Sequence, residues 1–425
     1  MKTSTTTKRR HAVQAKAAPV HKLEPISLKD RRLLFFLNWL RPGAGMINRE
    51  LAFAEQLAER GAEVTLLSHF KPQIRPTNPA IRVRTLIPTG FRHRWYNHAL
   101  TRRLVDFRTR QMFKTSCPEI VFTDLPVEAE RALRIRDRMR LGAKDARSFK
   151  VAYTYHGTAD GSAYDADTAT ELARQRAFSR RMLRSVDLPI VVSDYLVREA
   201  RAEGSAPVRI YNGVDLDHWR PAHPTTTEAS RYEPLRVLYV GRYTECKGVL
   251  SLVRAFGQAA AQAPNAILEM HGFFESPAYE AKIRDAIAAT GISTQIDMHG
   301  PIDFADIPER VRTCTVFANG SVDESFCMPF LEAQACGRTC VGFHARGIPE
   351  VVLHERTGLL APPGDEHTFG DYMTRLLLDT ELRQRFERAA LRHARTFDYK
   401  HLTAELVDQL TAHLPSPHAR PPFEI

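Results

Sequence analysis

Twice along this chain, short apolar runs alternate with segments of helical periodicity, and a turn-rich stretch separates the two series. Strand candidates in the first are Leu33–Leu37, Glu63–Ser68, Arg82–Ile87, Glu119–Thr123, Val151–Tyr155 and Leu188–Ser193. Helical patterns such as Asn48–Arg60, Val127–Arg140 and Thr168–Arg184 lie between them. The second series has strands at Arg236–Val240, Ala266–Met270, Gln295–Met298, Thr315–Ala318 and Thr339–Phe343, again with helices between. Apolar strands separated by helices argue parallel sheets covered on both faces. Between the series, Glu203–Pro234 holds Asn212-Gly213, Pro221, Pro224 and a Thr run, which reads as a domain boundary. Two βα domains joined in this way open the C-terminal ends of their strands onto a shared cleft.

The expected division is a basic tail at 1–30, a first Rossmann-like domain at 31–205 and a linker at 206–235. A second Rossmann-like domain follows at 236–395, then a helix at 396–412 and a tail at 413–425. A length of 425 residues, 43% hydrophobic and 26% charged, suits a globular chain of two or three domains. No apolar run reaches the roughly 18 to 20 residues that span a bilayer. The six cysteines form neither a CxxC pair nor a zinc-spaced cluster, so they read as reduced thiols of a cytoplasmic protein.

The net charge of +11 is uneven. Residues 1–23 carry Lys2, Lys8, Arg9, Arg10, Lys16 and Lys22 with no acid, and read as disordered. Arg92–Lys114 has seven basic residues against Asp106 alone, with Tyr96, Leu100, Leu104 and Phe107 at helical spacing. That segment reads either as a core-packed helix with a solvated basic face or as an amphipathic face for anionic phospholipid. No nucleic-acid module or aromatic stacking motif accompanies the charge, so nucleic acid is not an expected partner.

Two clusters carry chemistry. In Val237-Leu-Tyr-Val-Gly-Arg-Tyr-Thr-Glu-Cys-Lys-Gly248, a strand runs into a loop that sets Arg242 and Lys247 at its C-terminal edge. A guanidinium fork and an ammonium point charge there can neutralise a diphosphate. In Glu324-Ser-Phe-Cys-Met-Pro-Phe-Leu-Glu332, Pro329 suits the first helical position, and Phe330–Gly337 reads as a short helix ending at glycine. Its free N–H groups would face an anion across the loop. Glu324 in the loop and Glu332 in the first turn could then accept bonds from hydroxyls, which suits a sugar joined through phosphates to a nucleoside.

With their order and context, these clusters resemble the retaining glycosyltransferases of family 4, the group 1 domain of the GT-B fold. The likeness runs from Arg236 to Asp365. It includes Ala333-Gln-Ala-Cys-Gly337, Gly347-Ile-Pro-Glu-Val-Val352 and Thr357-Gly-Leu-Leu-Ala-Pro-Pro-Gly-Asp365, with Asn212-Gly-Val-Asp215 at the entry to the second domain. Pro42-Gly-Ala-Gly45 and His156 extend it, more loosely, into the first domain. The resemblance implies an α/β GT-B architecture of two Rossmann-like domains facing across a deep cleft, with a C-terminal helix crossing back to the first.

It also implies transfer of a sugar, a hexose by default, from a UDP- or GDP-sugar to a glycan, a lipid-linked acceptor or another hydroxyl. Such transfer belongs to polysaccharide or glycolipid biosynthesis, peripheral at the inner face of a membrane. Glu324, Arg242, Lys247 and His156 would take the catalytic roles. Glu332 would hold the ribose, the backbone around Phe326, Cys327 and Met328 would contact the donor sugar, backbone near Ile302 would hold the base, and Gly45 and Leu331 would also contact the donor. No cofactor or obligatory metal is expected, because two cations already serve the diphosphate. The Asp165/Asp167 and Asp215/Asp217 pairs read as a helix cap and a linker turn.

Two positions depart from the family pattern. Ser325 and Cys327 stand where glycines are usual, so that Cys327 would narrow the donor-sugar pocket. Ala345-Arg346-Gly347 replaces a glycine pair. The alternatives are a catalytically impaired scaffold and a Rossmann oxidoreductase; Pro42-Gly-Ala-Gly45 offers the latter only G-x-G.

Overall fold

The computed structural model describes residues 26–40, 45–87, 99–140, 149–158, 166–222 and 234–414. In chain order the first half runs β1 (Arg32–Leu37), α1 (Gly45–Glu59), β2 (Glu63–Ser68), β3 (Arg82–Thr85), α2 (Ala99–Ser116), β4 (Ile120–Thr123) and α3 (Pro126–Arg140). It continues through β5 (Lys150–Tyr155), α4 (Ala166–Ser185), β6 (Leu188–Val191), α5 (Asp194–Ala202) and β7 (Val208–Arg209). The second half runs β8 (Leu235–Val240), α6 (Val249–Gln262), β9 (Ala266–His271), α7 (Pro277–Thr290), β10 (Ile296–His299), α8 (Ile307–Thr313) and β11 (Val316–Asn319). Then come α9 (Met328–Ala335), β12 (Cys340–Phe343), α10 (Ile348–Val351), β13 (Gly358–Ala361), α11 (Glu366–Leu378), α12 (Thr380–Ala394) and α13 (Tyr399–His413).

The strands pair in parallel in two sheets, β3-β2-β1-β4-β5-β6-β7 and β10-β9-β8-β11-β12-β13. The inner strands are buried on both faces, and Phe35, Phe36 and Leu37 of β1 have no exposed surface, whereas the edge strands β3 and β10 carry exposed residues. In each sheet the strand order reverses once, between β1 and β4 and between β8 and β11. Loops leaving those neighbouring strands diverge, and the crevice between them is where doubly wound sheets bind ligands.

The C-terminal helix crosses back. Asp398 caps α13 by accepting from the Lys400 N–H at 2.9 Å, and the Val214 N–H donates to the Phe397 carbonyl at 2.9 Å. Leu402, Leu406, Val407 and Leu410 then pack in one core with Leu33 and Phe35 of β1 and Phe53 and Leu57 of α1. The second half of the chain thereby supplies part of the first domain's core.

The observed helix α2 departs from expectation in its facing. Its buried stripe is Thr101, Val105, Thr109 and Phe113, while Leu104 and Phe107 lie exposed, Phe107 by 60%. Threonine can be buried here because the Thr109 hydroxyl donates to the Val105 carbonyl at 2.7 Å. Of the two readings of this segment, the core-packed one therefore does not hold for Leu104 and Phe107. Tyr96 falls outside the described residues, as do 1–25, 88–98 and the Pro-rich end. Among the described residues, no helix is long and apolar enough to cross a membrane.

Leu406→Ala is expected to destabilise the protein by about 2–5 kcal/mol, the usual range for a buried leucine. Urea unfolding followed by circular dichroism checks this, and a loss below about 1 kcal/mol would contradict a structural role for the crossing.

Candidate active site

The loops leaving β8 and β11 build one wall. After β8, the chain turns through Gly241 and Arg242 to a 3-10 turn at Glu245–Lys247. Gly248 follows with φ 59°, and a Cβ there would lie 1.7 Å from the Gly320 carbonyl oxygen, in the loop after β11. Only glycine permits that approach. It brings Lys247 to the loop that carries Glu324, and the Lys247 Nζ donates to Glu324 Oε1 at 2.5 Å. Burial opposes the ammonium charge, but Glu324 beside it more than compensates and holds Lys247 above its ordinary pKa. Arg242 is half exposed and donates to Glu275 Oε1 at 3.1 Å. The Arg242 carbonyl accepts from the Tyr239 hydroxyl at 2.7 Å, which fixes the loop.

Glu332 behaves differently. It sits in α9 with no hydrogen-bonding side chain among the described residues, and burial alone pushes its carboxyl up to about 8. The helix begins two residues earlier than Phe330, because Cys327 adopts φ 73° and closes the loop there.

The facing wall comes from β1, β4 and β5. Gly45 opens α1, and a Cβ on it would meet no atom within 4 Å. His156 follows β5; its Nε2 is buried and unpartnered. Burial, then the nearby Arg49 charge, drives its pKa down to about 3, so the ring is neutral at working pH. Arg49 itself is buried, paired with Glu50, and donates to Thr154 Oγ1 at 3.4 Å and to the Ile210 carbonyl at 3.3 Å. Asp124, just past β4, has a buried, unpartnered Oδ1, and burial followed by the Glu50 charge raises it to about 8. The two walls meet at Gly157 (φ 88°), where a Cβ would fall 1.8 Å from the Ser325 Oγ.

Two sequence profiles match the chain: "Glycosyltransferase Family 4" over residues 45–218 and "Glycosyl transferases group 1" over 227–393. The chain belongs to glycosyltransferase family 4. The chain is similar to a D-inositol 3-phosphate glycosyltransferase of Corynebacterium jeikeium, 29% identical over 62% of this chain and 66% of that one. A protein of the same name from Saccharomonospora viridis is 30% identical over 51% of this chain and 53% of that one. The chain thus spans between half and two thirds of the length of these curated relatives. Its fold resembles sucrose-phosphate synthase from Thermosynechococcus elongatus, with a TM-score of 0.74, 20% identity and coverage of 90% and 100%. It also resembles Anabaena HepE in complex with UDP and glucose, with a TM-score of 0.71, 17% identity and the same coverage. The GT-B architecture follows from these likenesses and from the two sheets.

On the donor side, two expectations about side chains, those of Leu331 and Cys327, are corrected. Leu331 has no exposed surface, because it lies on the core face of α9 one residue before Glu332; its side chain cannot touch a ligand. Cys327 does not narrow the pocket: it is 2% exposed, and its Sγ lies 3.7 Å from Asn319 Nδ2 behind the loop. Phe326 is also buried, against Tyr211 and Phe397 at 5.5 and 5.6 Å. Met328 and Ile302 are half-buried. Ser325 is the substitution that faces the other domain.

Asp215 Oδ1 accepts from the Asp217 N–H at 2.9 Å and forms a turn; Asp165 lies outside the described residues, and Asp167 falls in the first turn of α4. One metal-like group was invisible in the sequence because neighbouring strands assemble it. Glu269, His271 and His299 have ligand atoms within 4.8 Å of one another. Glu269 is already paired with Arg236, and Arg310 lies 3.6 Å away, so guanidinium groups occupy its carboxylate. Sequence reading also missed Glu275 and Asp124. Asp124 directly follows an apolar strand, the one signal that could have exposed it.

Glu332 carries a stability signature. Its folded pKa is raised above the roughly 4.3 of an unfolded glutamate, so its favourable protonated contribution is full below about 4.3. That contribution is lost as pH climbs through about 8. Glu332→Gln should therefore gain on the native protein as pH rises from about 5 to 8, by a few degrees in thermal midpoint. Equal midpoints at pH 5 and pH 8 would contradict the assigned shift.

Proposed function

We propose that this chain is a retaining glycosyltransferase that moves a hexose from a UDP-sugar to a hydroxyl of a glycan or lipid-linked acceptor. The observation that carries this reading is the Lys247–Glu324 pair beside a half-buried Glu332 with no protein partner, at the β8/β11 crevice and opposite His156. Similar structures of Anabaena HepE in complex with UDP and with UDP-glucose support uridine over guanosine as the base.

In this mechanism Glu332 accepts from the ribose hydroxyls. Lys247 moves from Glu324 to the diphosphate, Arg242 exchanges Glu275 for the same anion, and Glu324 turns to the sugar hydroxyls. As the bond from the anomeric carbon to the diphosphate oxygen breaks, the two cations stabilise the charge that develops. The acceptor oxygen attacks from the same face and its proton passes to the departing diphosphate. His156, kept neutral, donates to or accepts from the sugar without titrating. With both cations in place no step requires a metal ion.

The exposed Leu104 and Phe107 of α2 stand among exposed Arg102, Arg103, Arg110 and Lys114. That combination supports a cytoplasmic enzyme docked on an anionic membrane face, where residues 1–23 would add charge.

Membership of family 4 removes the oxidoreductase alternative; an impaired scaffold is an outcome of the test. The test is a thermal-shift screen of nucleotide sugars followed by turnover. A UDP-sugar should stabilise the protein, with Lys247→Ala and Glu332→Ala weakening binding tenfold or more. Lys247→Ala should also lower kcat about 10²–10³-fold, as losses of oxyanion-type stabilisers do. Binding should release a proton at pH 7, because hydroxyl donors favour the charged form of Glu332, and should strengthen as pH rises to about 8. Turnover should persist in EDTA. Binding without turnover on any acceptor would favour the scaffold, and a shift with NAD(H) alone would overturn the reading. In vesicle sedimentation, neutralising Arg102, Arg103 and Arg110 should release the protein from anionic liposomes.

A further inference from the structure

The first turn of α5, in the first domain, is capped from the second domain. A helix start leaves its leading N–H groups without partners inside the helix. Here the Leu196 N–H donates to Ser193 Oγ at 3.2 Å and the Val197 N–H to the Ser193 carbonyl at 3.1 Å. The two N–H groups before them, of Asp194 and Tyr195, donate at 2.7 Å each to the two carboxylate oxygens of Glu350. Glu350 lies in α10, 155 residues further along the chain, and its charge sits at the positive end of the helix. Four residues earlier, Arg346 Nη1 donates to the Tyr195 hydroxyl at 2.8 Å, while its Nε pairs with Asp323 at 3.1 Å. Asp323 immediately precedes Glu324, and the Glu324 carbonyl accepts from the Gly347 N–H at 3.0 Å.

We infer that Arg346 and Glu350 form an interdomain clamp that positions the 323–327 loop against the first domain. One short segment grips that loop through Asp323 and the Glu324 carbonyl, and grips α5 through Tyr195 and its helix terminus. Ser325 is thereby pressed toward Gly157 and His156. The backbone of Arg346 makes a strained choice intelligible: its φ of 48° is one that a residue with a Cβ adopts reluctantly. Glycine at this position would relax the backbone but would lose both the Tyr195 and the Asp323 contacts. Both residues act by positioning; neither touches a reacting atom.

The clamp rests on the proposed function only where nucleotide binding is the readout, so its test has two arms. Full-length Arg346→Gly and Glu350→Gln are compared with the native protein by small-angle X-ray scattering without ligand, and by calorimetric titration with UDP. Arg346→Gly should melt at or above the native temperature because its backbone strain is relieved. It should nonetheless show a larger radius of gyration and about tenfold weaker UDP binding, as the closed population falls in proportion. Glu350→Gln should change in the same direction. The double variant should add less than the two single effects, since both residues serve one contact. Folded variants with native scattering and native UDP affinity would overturn the clamp, as would a loss of stability with unchanged scattering. If the native protein binds no UDP, the proposed function fails, and scattering alone decides the clamp.

Discussion

Two parallel sheets can work on one ligand only if their C-terminal edges are kept facing each other, and α13 ties the two domains together. Its four apolar side chains belong to the core of the first domain although the helix follows the second in sequence. Burial at roughly 1.5–3 kcal/mol per large side chain makes the crossing expensive to undo. The Phe326–Tyr211–Phe397 aromatic group lies at the root of the same crossing and joins the 323–327 loop to it. On the far side of that loop, Arg346 and Glu350 reach α5. The loop that carries Glu324 is therefore braced from both ends.

Within that frame the charges are largely matched inside the protein. Lys247 holds Glu324, Arg242 holds Glu275, and Arg49 holds Glu50. Among the described residues of the cleft, Glu332, the Nε2 of His156 and one oxygen of Asp124 have no protein partner, and each is shifted toward its neutral form by burial. A buried polar atom without a partner costs stability, and at the cleft a bound ligand could supply the missing partners. Paired cations and unpaired neutral groups suit a ligand with a dianionic centre and hydroxylated ends.

The alternation of strands and helices was legible because the inner strands are buried on both faces and so read as apolar runs. The strands that escaped notice are the edge strands β7 and β13; β7, with two residues, is too brief to show periodicity. In the site, Arg242, Lys247, Glu324 and Glu332 were legible because each lies next to a strand end or a helix start, positions fixed locally. The facing of Leu104 and Phe107 was not, since threonines took the core stripe of α2, Thr109 with its hydroxyl bonded to the Val105 carbonyl. Nor was the burial of Leu331 and Cys327, which follows from which side of α9 meets β11 and β12.

The order of elements, the Pro329-initiated helix and the glycine at 248 are properties of short stretches of chain, governed by backbone sterics and local hydrogen bonding. The sequence by itself determined these, and with them the two-domain α/β architecture and the charged groups of the cleft. Which of those groups are paired, neutral or unpartnered depends on residues tens to hundreds of positions away. So do the capping of α5 by Glu350 and the contact of Ser325 with Gly157. Coulombic and desolvation energies depend on distances in space, and those distances exist only once both sheets and the crossing helix are assembled.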